Sequence, residues 1–243
     1  RCAASCEPTK IKPEREPLDI TIQRADELCY RILSDAQSEK YRFFLTGSEN
    51  FRKLIYPEYK ANRARLPRPE WLEPVREFLI TEWHAEIATG CEADDYIGIH
   101  ADENTIICGN DKDLLQLPGQ HFNFVTGTFR WMDDAEAALA FWSQMLIGDP
   151  SDNLPGIDGL GKVKARRRLE GLSPREMEDT VRSLYTACGR DFLLYHRLYR
   201  LIRSEQELEE ILNHTTKRKG QRKELTEMGS KEDSGSLPET DTQ

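Results

Sequence analysis

The sequence predicts an α/β fold in which a mainly parallel sheet is flanked by helices. Segments with the period of amphipathic helices alternate with short apolar runs that are typical of buried strands. At Gly148 the pattern changes to closely spaced glycines followed by a basic helical segment. We therefore expect an α/β domain at residues 1–147, a smaller helical region at 148–223 and a disordered acidic tail at 224–243.

The first half of the chain contains two helical patterns around one strand pattern. Apolar residues recur every three or four positions between Ile22 and Ala36, which predicts a helix. The run Tyr41–Gly47 predicts a buried strand that ends at glycine. After a loop rich in proline and basic residues, the helical period returns between Trp71 and Trp83, and Gly90 ends that segment.

The following elements are predicted by short apolar runs and by capping residues. Another helix begins near Glu92, and strands are expected at Thr105–Gly109 and Phe122–Val125. Asp133 or Asp134 caps the helix after them.

Two capping boxes predict two further helices near the C-terminus. Ser173 and Glu176 form the first box, with Pro174 at the position where helices favour proline. Ser204 and Glu207 form the second.

Composition excludes several classes of protein. The 243 residues are 38% hydrophobic, which suffices for a core, and no stretch approaches the roughly 18 apolar residues of a membrane span. The chain begins with Arg and lacks the apolar region of a signal peptide, so we expect a soluble chain whose start is a cut end. Its six cysteines include no C-x-x-C pair and no zinc-finger spacing with histidine. They predict reduced thiols and a cytoplasmic location.

Charge is distributed unevenly along the chain. The 43 acidic and 34 basic residues give a net charge of −9, which by itself argues against a nucleic-acid partner. Basic residues nevertheless concentrate at 52–68, 162–168 and 217–223, and acidic residues concentrate between 92 and 152. This pattern fits a protein that binds a polyanion and holds divalent metal. For any single charged run, a solvated helix face is the alternative.

Carboxylates occur in three compact groups, each beside a predicted strand end, helix start or turn. Strand ends of this kind face the ligand crevice in open α/β sheets, and converging carboxylates need cations to stay ionised. Oxygen ligands favour Mg²⁺ or Mn²⁺, and two such ions can promote phosphodiester hydrolysis. For each group alone, a helix-dipole or turn role is the alternative. The candidate ligands are Glu92, Asp94, Asp95, Asp111, Asp113, Asp149 and Asp152.

A glycine-rich turn is expected to bind a phosphate backbone. Gly156, Gly159 and Gly161 permit positive φ angles and place backbone N–H groups at the start of a helix. Such a turn binds phosphate, or a monovalent cation that bridges to phosphate, without reading bases. Lys162 and Lys164 add positive charge. The alternative is an ordinary connection between helices.

Four motifs occur in a fixed order along the chain. They are IYPEYKANR (55–63), GCEADDYIG (90–98), IICGNDKDLLQL (106–117) and MLIGDPSDNLPGIDGLGKVKA (145–165). Together they resemble the 5′-to-3′ exonuclease and flap endonuclease family, which is related to the 5′ nuclease domain of bacterial DNA polymerase I and to phage exonucleases. The resemblance covers about residues 41–202. It implies a PIN-like nuclease fold with a helical arch, and a helix-hairpin-helix region at 148–223.

The same resemblance implies the function and the roles of site residues. It implies an enzyme that uses two Mg²⁺ ions, which Mn²⁺ can replace, to hydrolyse DNA from a 5′ end or at a 5′ flap. The setting would be replication, repair or recombination in a bacterial or phage-infected cell. Lys60 and Arg63 fall on positions that contact the scissile phosphate, and Asp94 and Asp113 on catalytic metal-binding positions. Tyr59 falls where a terminal base could stack, although packing within the arch is equally open.

By the resemblance, the seven acidic residues take the places of the family's metal ligands. The three hairpin glycines with Lys162 and Lys164 would hold the duplex downstream of the cut, with a monovalent cation at the hairpin.

Two departures from the family pattern concern the first metal site. Family members open with a strand that bears an aspartate, and this chain begins just after the place where that strand ends. Leu45-Thr46-Gly47 stands where cellular relatives have Phe-Asp-Gly. The main alternative function is therefore a non-catalytic, structure-specific DNA-binding protein. A PIN-type ribonuclease is a third hypothesis, and the glycine-rich hairpin argues against it.

Overall fold

A computed structural model describes residues 16–215, in which helices alternate with short strands. The helices are α1 (Leu18–Ala36), α2 (Phe51–Ile55), α3 (Leu72–Thr81), α4 (Ala93–His100), α5 (Asp134–Ile147), α6 (Lys162–Leu169), α7 (Pro174–Ala187), α8 (Phe192–Tyr199) and α9 (205–215). The strands are β1 (Phe44–Thr46), β2 (Glu86–Ala88), β3 (Ile106–Cys108), β4 (Gly119–Asn123), β5 (Thr128–Met132), β6 (Gly148–Asp149) and β7 (Leu154–Pro155). Three 3-10 turns lie at Ala61–Arg65, Lys112–Gln116 and Pro150–Asp152.

The described strands form three small sheets instead of the single sheet that the sequence predicts, and two of them contain a parallel pair. β1 pairs in parallel with β2, and β3 pairs in parallel with β4. β5 returns antiparallel to β4, and β6 and β7 form a short antiparallel ladder. The α/β fold class is thereby confirmed, with helices packed around short sheets.

Most helices begin where the sequence predicts them, because their capping side chains are present. The Asp133 carboxylate accepts the Glu136 N–H at 2.8 Å and starts α5. Ser173 and Glu176 form the reciprocal capping box of α7, with Pro174 at its first position. The Glu207 N–H donates to the Ser204 hydroxyl at 3.2 Å at the start of α9.

Several strand predictions were wrong. The strand expected at Phe122–Val125 begins earlier, as β4, and a turn replaces its end because the Asn123 side chain accepts the N–H groups of Val125 and Thr126. The strand expected at Tyr41–Gly47 has only the three residues of β1 and is not fully buried, and β2 is its one partner strand among residues 16–215.

Six of the described helices and strands were missed by sequence analysis: α2, β2, β5, β6, β7 and α8. Four of the five residues of β5 are exposed, Trp131 among them, so that strand carries no burial pattern. The missed α8 begins at Asp191, whose carboxylate accepts the Leu194 N–H at 3.0 Å.

Two hydrophobic clusters position the candidate site between them. In the first, Phe141 and Met145 of α5 pack with Leu169, Val181 and Tyr185 of α6 and α7. The predicted boundary after residue 147 falls at the end of α5, inside this cluster, and the three-region division remains a prediction. The second cluster joins Phe51, Ala88, Cys91 and Ile202, linking α2 and α4 to the segment after α8.

Some predictions lie outside the described residues, namely the acidic tail at 224–243 and the thiols of Cys2 and Cys6. Among residues 16–215, no disulfide joins Cys29, Cys91, Cys108 or Cys188. No helix among residues 16–215 has both the length and the apolar character to cross a membrane.

Candidate active site

Five of the seven predicted acidic ligands line one cavity. They come from the start of α4, the 3-10 turn after β3, and the β6 strand with the turn that follows it. Arg52, Tyr59 and Gln144 line the same cavity. The five acids are Glu92, Asp94, Asp113, Asp149 and Asp152.

The tightest group of carboxylates is Asp113, Asp149 and Asp152. One oxygen of each lies within 4.8 Å of the others. The Asp149 carboxylate accepts the Ser151 N–H at 2.8 Å, which fixes the turn that carries Asp152. Three carboxylate oxygens at this separation suit a hard divalent cation such as Mg²⁺ or Mn²⁺.

Like charges perturb the two catalytic candidates among these acids. Burial, then the charges of Asp111 and Glu92, raises the pKa of Asp94 to about 7. Burial and the charge of Asp111 raise the pKa of Asp113 to about 6. No ion pair involves Asp94 within residues 16–215. The donor set thus fits a cation, which would relieve this repulsion.

Asp111 lies beside this cavity and does not line it. Its carboxylate accepts the Asp113 N–H at 3.0 Å and caps the 3-10 turn, while its charge acts on Asp94 and Asp113. Thr46 also lies next to the site: its hydroxyl accepts the Ala93 N–H at 3.0 Å, at the first position of α4.

Lys112 is a site residue that sequence analysis missed. Its Nζ lies 2.8 Å from the Asp149 Oδ2. Burial alone would raise the pKa of Asp149, but the hydrogen bonds from Lys112 and Ser151 outweigh burial and lower the pKa. The sequence feature that could have indicated this role is the position of Lys112 between the two aspartates of GNDKD.

Lys60 and Arg63 lie at the acidic cavity, as predicted. Lys60 has a left-handed backbone with φ 57°, and its N–H donates to the Asp152 carbonyl at 2.9 Å. Its ammonium group bonds the Glu92 carboxylate and lies 3.6 Å from Asp152 Oδ2. The Arg63 Nη2 donates to Asp152 Oδ1 at 2.7 Å, and half of the Arg63 side chain remains exposed. The two cations are therefore held beside the carboxylates, where a phosphate could reach them.

Tyr59 is buried, which makes the base-stacking prediction wrong for this structure. Its side chain is only 3% exposed and packs in the first hydrophobic cluster, with α5. Its hydroxyl lies 2.8 Å from Glu92 Oε2 and 2.9 Å from Asp152 Oδ2 and has one proton to donate between them. Tyr59 therefore braces two acidic side chains, and no face of its ring is open to a base.

Asp95 is a structural residue here, so its prediction as a metal ligand was wrong. The carboxylate is fully buried and pairs with both terminal nitrogens of Arg52, at 2.6 and 2.8 Å. Its Oδ2 also accepts the Glu92 N–H at 2.9 Å, and its Oδ1 the Ile202 N–H at 3.1 Å. Four donors occupy the four lone-pair sites of the carboxylate and leave none for a metal.

The glycine-rich turn precedes α6 as predicted, but its glycines serve different purposes. Only Gly159 has a positive φ, of 77°. Gly156 is required by close packing, since a Cβ there would lie 2.2 Å from the Ile147 carbonyl. Gly161 caps α6, and Lys162 is the first residue of that helix. Residues 155–164 line an open groove.

The raised pKa values predict that the metal-free protein loses stability as pH rises from about 4 to about 7. Over this interval the folded chain keeps protons on Asp94 and Asp113 that the unfolded chain has lost. The thermal midpoint in EDTA should therefore fall between pH 5 and pH 8. Asp94→Asn should flatten that slope, and an unchanged slope in this variant would contradict the assigned repulsion.

Comparisons with known proteins identify the family. Residues 14–141 match the model of the 5′-3′ exonuclease N-terminal resolvase-like domain. The chain therefore belongs to the 5′-3′ exonuclease family.

Individual relatives agree with this assignment. The chain is 32% identical to the 5′-3′ exonuclease of Bacillus subtilis, over 51% of this chain and 49% of that protein. It is 32% identical to DNA polymerase I of Caldicellulosiruptor bescii, over 51% of this chain and 18% of that protein. The chain spans about half or less of the length of these relatives. It is also 27% identical to the flap endonuclease Xni of Shewanella amazonensis, over 73% and 77% of the two chains.

Solved structures share the fold. T5 5′-exonuclease with bound zinc matches with a TM-score of 0.54 at 16% identity, over 81% of this chain and 90% of that chain. T5 D15 protein co-crystallised with metal ions matches with a TM-score of 0.56 at 16% identity, over 82% and 92%.

Proposed function

We propose that this chain is a divalent-metal-dependent nuclease that hydrolyses DNA phosphodiester bonds from a 5′ end or at a 5′ flap. The observation that carries the proposal is the group of Asp113, Asp149 and Asp152, within 4.8 Å of one another and beside the cations Lys60 and Arg63. In metal-assisted phosphodiester hydrolysis, carboxylates hold the metal and nearby cations stabilise charge on the phosphate. Relatives named 5′-3′ exonuclease and flap endonuclease support it.

The metal of the proposal is Mg²⁺, which Mn²⁺ can replace, and two ions are proposed. Asp113, Asp149 and Asp152 would hold one ion. The remaining carboxylates for the other are those of Glu92, Asp94 and Asp111. When bound, such ions act as Lewis acids that stabilise the charge on a phosphodiester as it is cleaved.

The chain's own residues orient the phosphate in this proposal. The backbone of Lys60 is bonded to the Asp152 carbonyl, and its ammonium group is paired with the Glu92 carboxylate, so the ammonium is held in place before substrate arrives. Arg63 is fixed by its Nε, which donates to the Ser151 carbonyl at 2.9 Å. Preorganised cations of this kind stabilise developing charge without a reorganisation cost at the moment of reaction.

The hairpin groove is proposed to hold the duplex. Its lining runs from Pro155 through the glycines to Lys164, and Lys162 and Lys164 lie on the first turn of α6. Backbone N–H groups at this helix start suit phosphate, or a monovalent cation that bridges to phosphate. A related T5 flap endonuclease structure is described as a pseudo-enzyme-product complex with DNA and metal ions.

Lys60→Ala should lower the rate of cleavage about a hundredfold while changing DNA affinity little. The reason is that Lys60 would stabilise charge that develops only during the reaction. Single-turnover rates on a 5′-flap duplex, with affinity measured separately in Ca²⁺, give the two quantities. Lys53→Ala is the matched control because Lys53 lies in the same basic segment and is exposed. An equal loss of rate and affinity in Lys60→Ala would make Lys60 only a phosphate contact.

The double variant Lys162→Ala/Lys164→Ala should weaken duplex binding and flatten its salt dependence. Each lost phosphate contact lowers the slope of log affinity against log salt by about one. Titrations at several salt concentrations on two unrelated duplex sequences measure this effect, with Lys40→Ala as the control. A loss confined to one of the two sequences would indicate base readout and contradict the assignment.

Product analysis distinguishes the proposed function from its alternatives. Cleavage of a 5′-flap DNA duplex should leave a 5′-phosphate and a 3′-hydroxyl. Binding to the flap without any cleavage would select the non-catalytic DNA-binding protein, and preferential cleavage of an RNA strand would select a ribonuclease. We further propose replication, repair or recombination in the cytoplasm of a bacterial or phage-infected cell as the setting, supported by the bacterial and phage sources of the relatives.

A further inference from the structure

Residues 198–203 comprise the last two residues of α8 and the four residues that follow it, and they lie against the acidic cavity. We call this segment the strap. Leu201 and Ile202 are 4% and 2% exposed, so the apolar residues of the strap are buried, whereas Arg203 at its end is exposed. Leu198, Tyr199 and Leu201 line the cavity on its inner side. The strap is therefore in a position to affect the carboxylates without carrying one.

Gln116 binds the strap to the turn that holds Asp113. It is the last residue of the 3-10 turn Lys112–Gln116 and is 1% exposed. Its Nε2 donates to the Tyr199 carbonyl at 3.1 Å, and its Oε1 accepts the Leu201 N–H at 2.8 Å. One side chain thus satisfies two buried backbone groups of the strap, which are costly to leave unpaired.

The strap also contacts α4, which carries Glu92 at its start and Asp94. The Ile202 N–H donates to the Asp95 carboxylate of α4 at 3.1 Å. Arg52 of α2, which pairs with Asp95, also donates from its Nε to the Leu198 carbonyl at 2.9 Å. Gly98 makes room for the strap, because a Cβ on Gly98 would lie 2.4 Å from the Ile202 carbonyl oxygen. The strap backbone therefore lies directly against the helix.

These contacts connect the two elements that hold separate groups of acids. The strap joins α4 to the 3-10 turn through short, buried hydrogen bonds, and the carboxylates on those elements repel one another. We propose that the strap sets the separation of the two carboxylate groups, and that Gln116 and Gly98 are positioning residues for the metal centre. This inference rests on the proposed function, since it assumes that the carboxylates bind divalent metal.

Two variants disturb the strap from opposite sides without removing a carboxylate. Gln116→Met keeps the approximate side-chain length and removes both hydrogen bonds to Tyr199 and Leu201. Gly98→Ala pushes the Ile202 carbonyl away from α4. Both should weaken Mn²⁺ binding about tenfold, the scale on which supporting residues act on metal sites. Duplex affinity measured in EDTA should stay unchanged.

The measurement is direct Mn²⁺ binding, by the loss of the free-ion electron paramagnetic resonance signal, together with the Mg²⁺ concentration for half-maximal cleavage. Thr21→Val is the control for lost stability, because it removes a part-buried hydrogen bond from the Thr21 hydroxyl to the Pro17 carbonyl at the start of α1. It should lower the thermal midpoint and leave Mn²⁺ binding unchanged. Raising the Mg²⁺ concentration should restore cleavage in both strap variants.

The possible outcomes separate this inference from the proposed function. If the strap variants lower the thermal midpoint and bind Mn²⁺ as the unaltered chain does, the strap is merely structural and the inference is wrong. If Gln116→Met does not fold, Gly98→Ala decides the question on the same readouts. If the unaltered chain binds no Mn²⁺, the proposed function fails, and this inference fails with it.

Discussion

Asp113→Asn should reduce metal-dependent DNA cleavage about a thousandfold or more while DNA binding is retained. The substitution removes the charge from one of the three oxygen donors that lie within 4.8 Å of one another. Metal ions contribute several kcal/mol to stabilising charge as a phosphodiester is cleaved, and each 1.4 kcal/mol corresponds to a factor of ten. The rate is measured under single-turnover conditions on a 5′-flap duplex.

DNA affinity should stay the same or rise in Asp113→Asn, because a negative charge that faces the phosphate backbone is lost. Asp152→Asn should behave similarly. Asp35→Asn is the matched control, since Asp35 is an exposed aspartate of α1 that lines neither the acidic cavity nor the hairpin groove. Full cleavage by Asp113→Asn would contradict the metal assignment.

Arg52→Met should destabilise the protein by about 3–5 kcal/mol, because it leaves a buried carboxylate without its partner. Arg52 and Asp95 are 2% and 0% exposed, and the pair is bidentate. Arg52 also donates to the carbonyls of Leu198 and Arg200. Burial alone would lower the pKa of Arg52, but the Asp95 charge outweighs burial and raises it. Denaturant unfolding of the variant measures the loss.

Arg42→Met is the matched control for this prediction. Arg42 makes an equally close bidentate pair with Glu86, but both side chains are almost half exposed. Solvent screening should limit its loss to about 1 kcal/mol or less. The double variant Arg52→Met/Asp95→Asn should lose less than the sum of the two single losses, because they share one interaction. Equal losses of stability in Arg42→Met and Arg52→Met would show that burial does not determine how much an arginine–carboxylate pair stabilises the protein.

The sequence predicted those parts of the site that depend on residues close to one another in the chain. Asp111 and Asp113 follow a β-branched strand, and Asp149 and Asp152 bracket a turn, and the structure brings Asp113, Asp149 and Asp152 together, with Asp111 beside them. Helix starts were equally predictable, because capping boxes such as that of Ser173 and Glu176 act over three residues.

The sequence did not reveal the roles that depend on distant partners. Asp95 lies next to Asp94 in the chain, and its partner Arg52 is 43 residues away. The sequence alone therefore does not distinguish the two aspartates, and only the structure shows that Asp95 is fully buried. In the same way, the Tyr59 hydroxyl hydrogen-bonds to Asp152, which lies 93 residues further along the chain. In the sequence, Gln116 is one polar residue of a short motif. Its hydrogen bond to Leu201 of the strap is visible only in the folded structure.

The most direct test of the account is cleavage of a 5′-flap DNA duplex by this chain and by Asp113→Asn, each in Mg²⁺ and in EDTA. The account predicts cleavage by the unaltered chain in Mg²⁺, and no cleavage in EDTA or by Asp113→Asn under either condition. Equal cleavage in Mg²⁺ and EDTA, or none in Mg²⁺ with flap binding intact, would contradict the assignment of a metal-dependent nuclease.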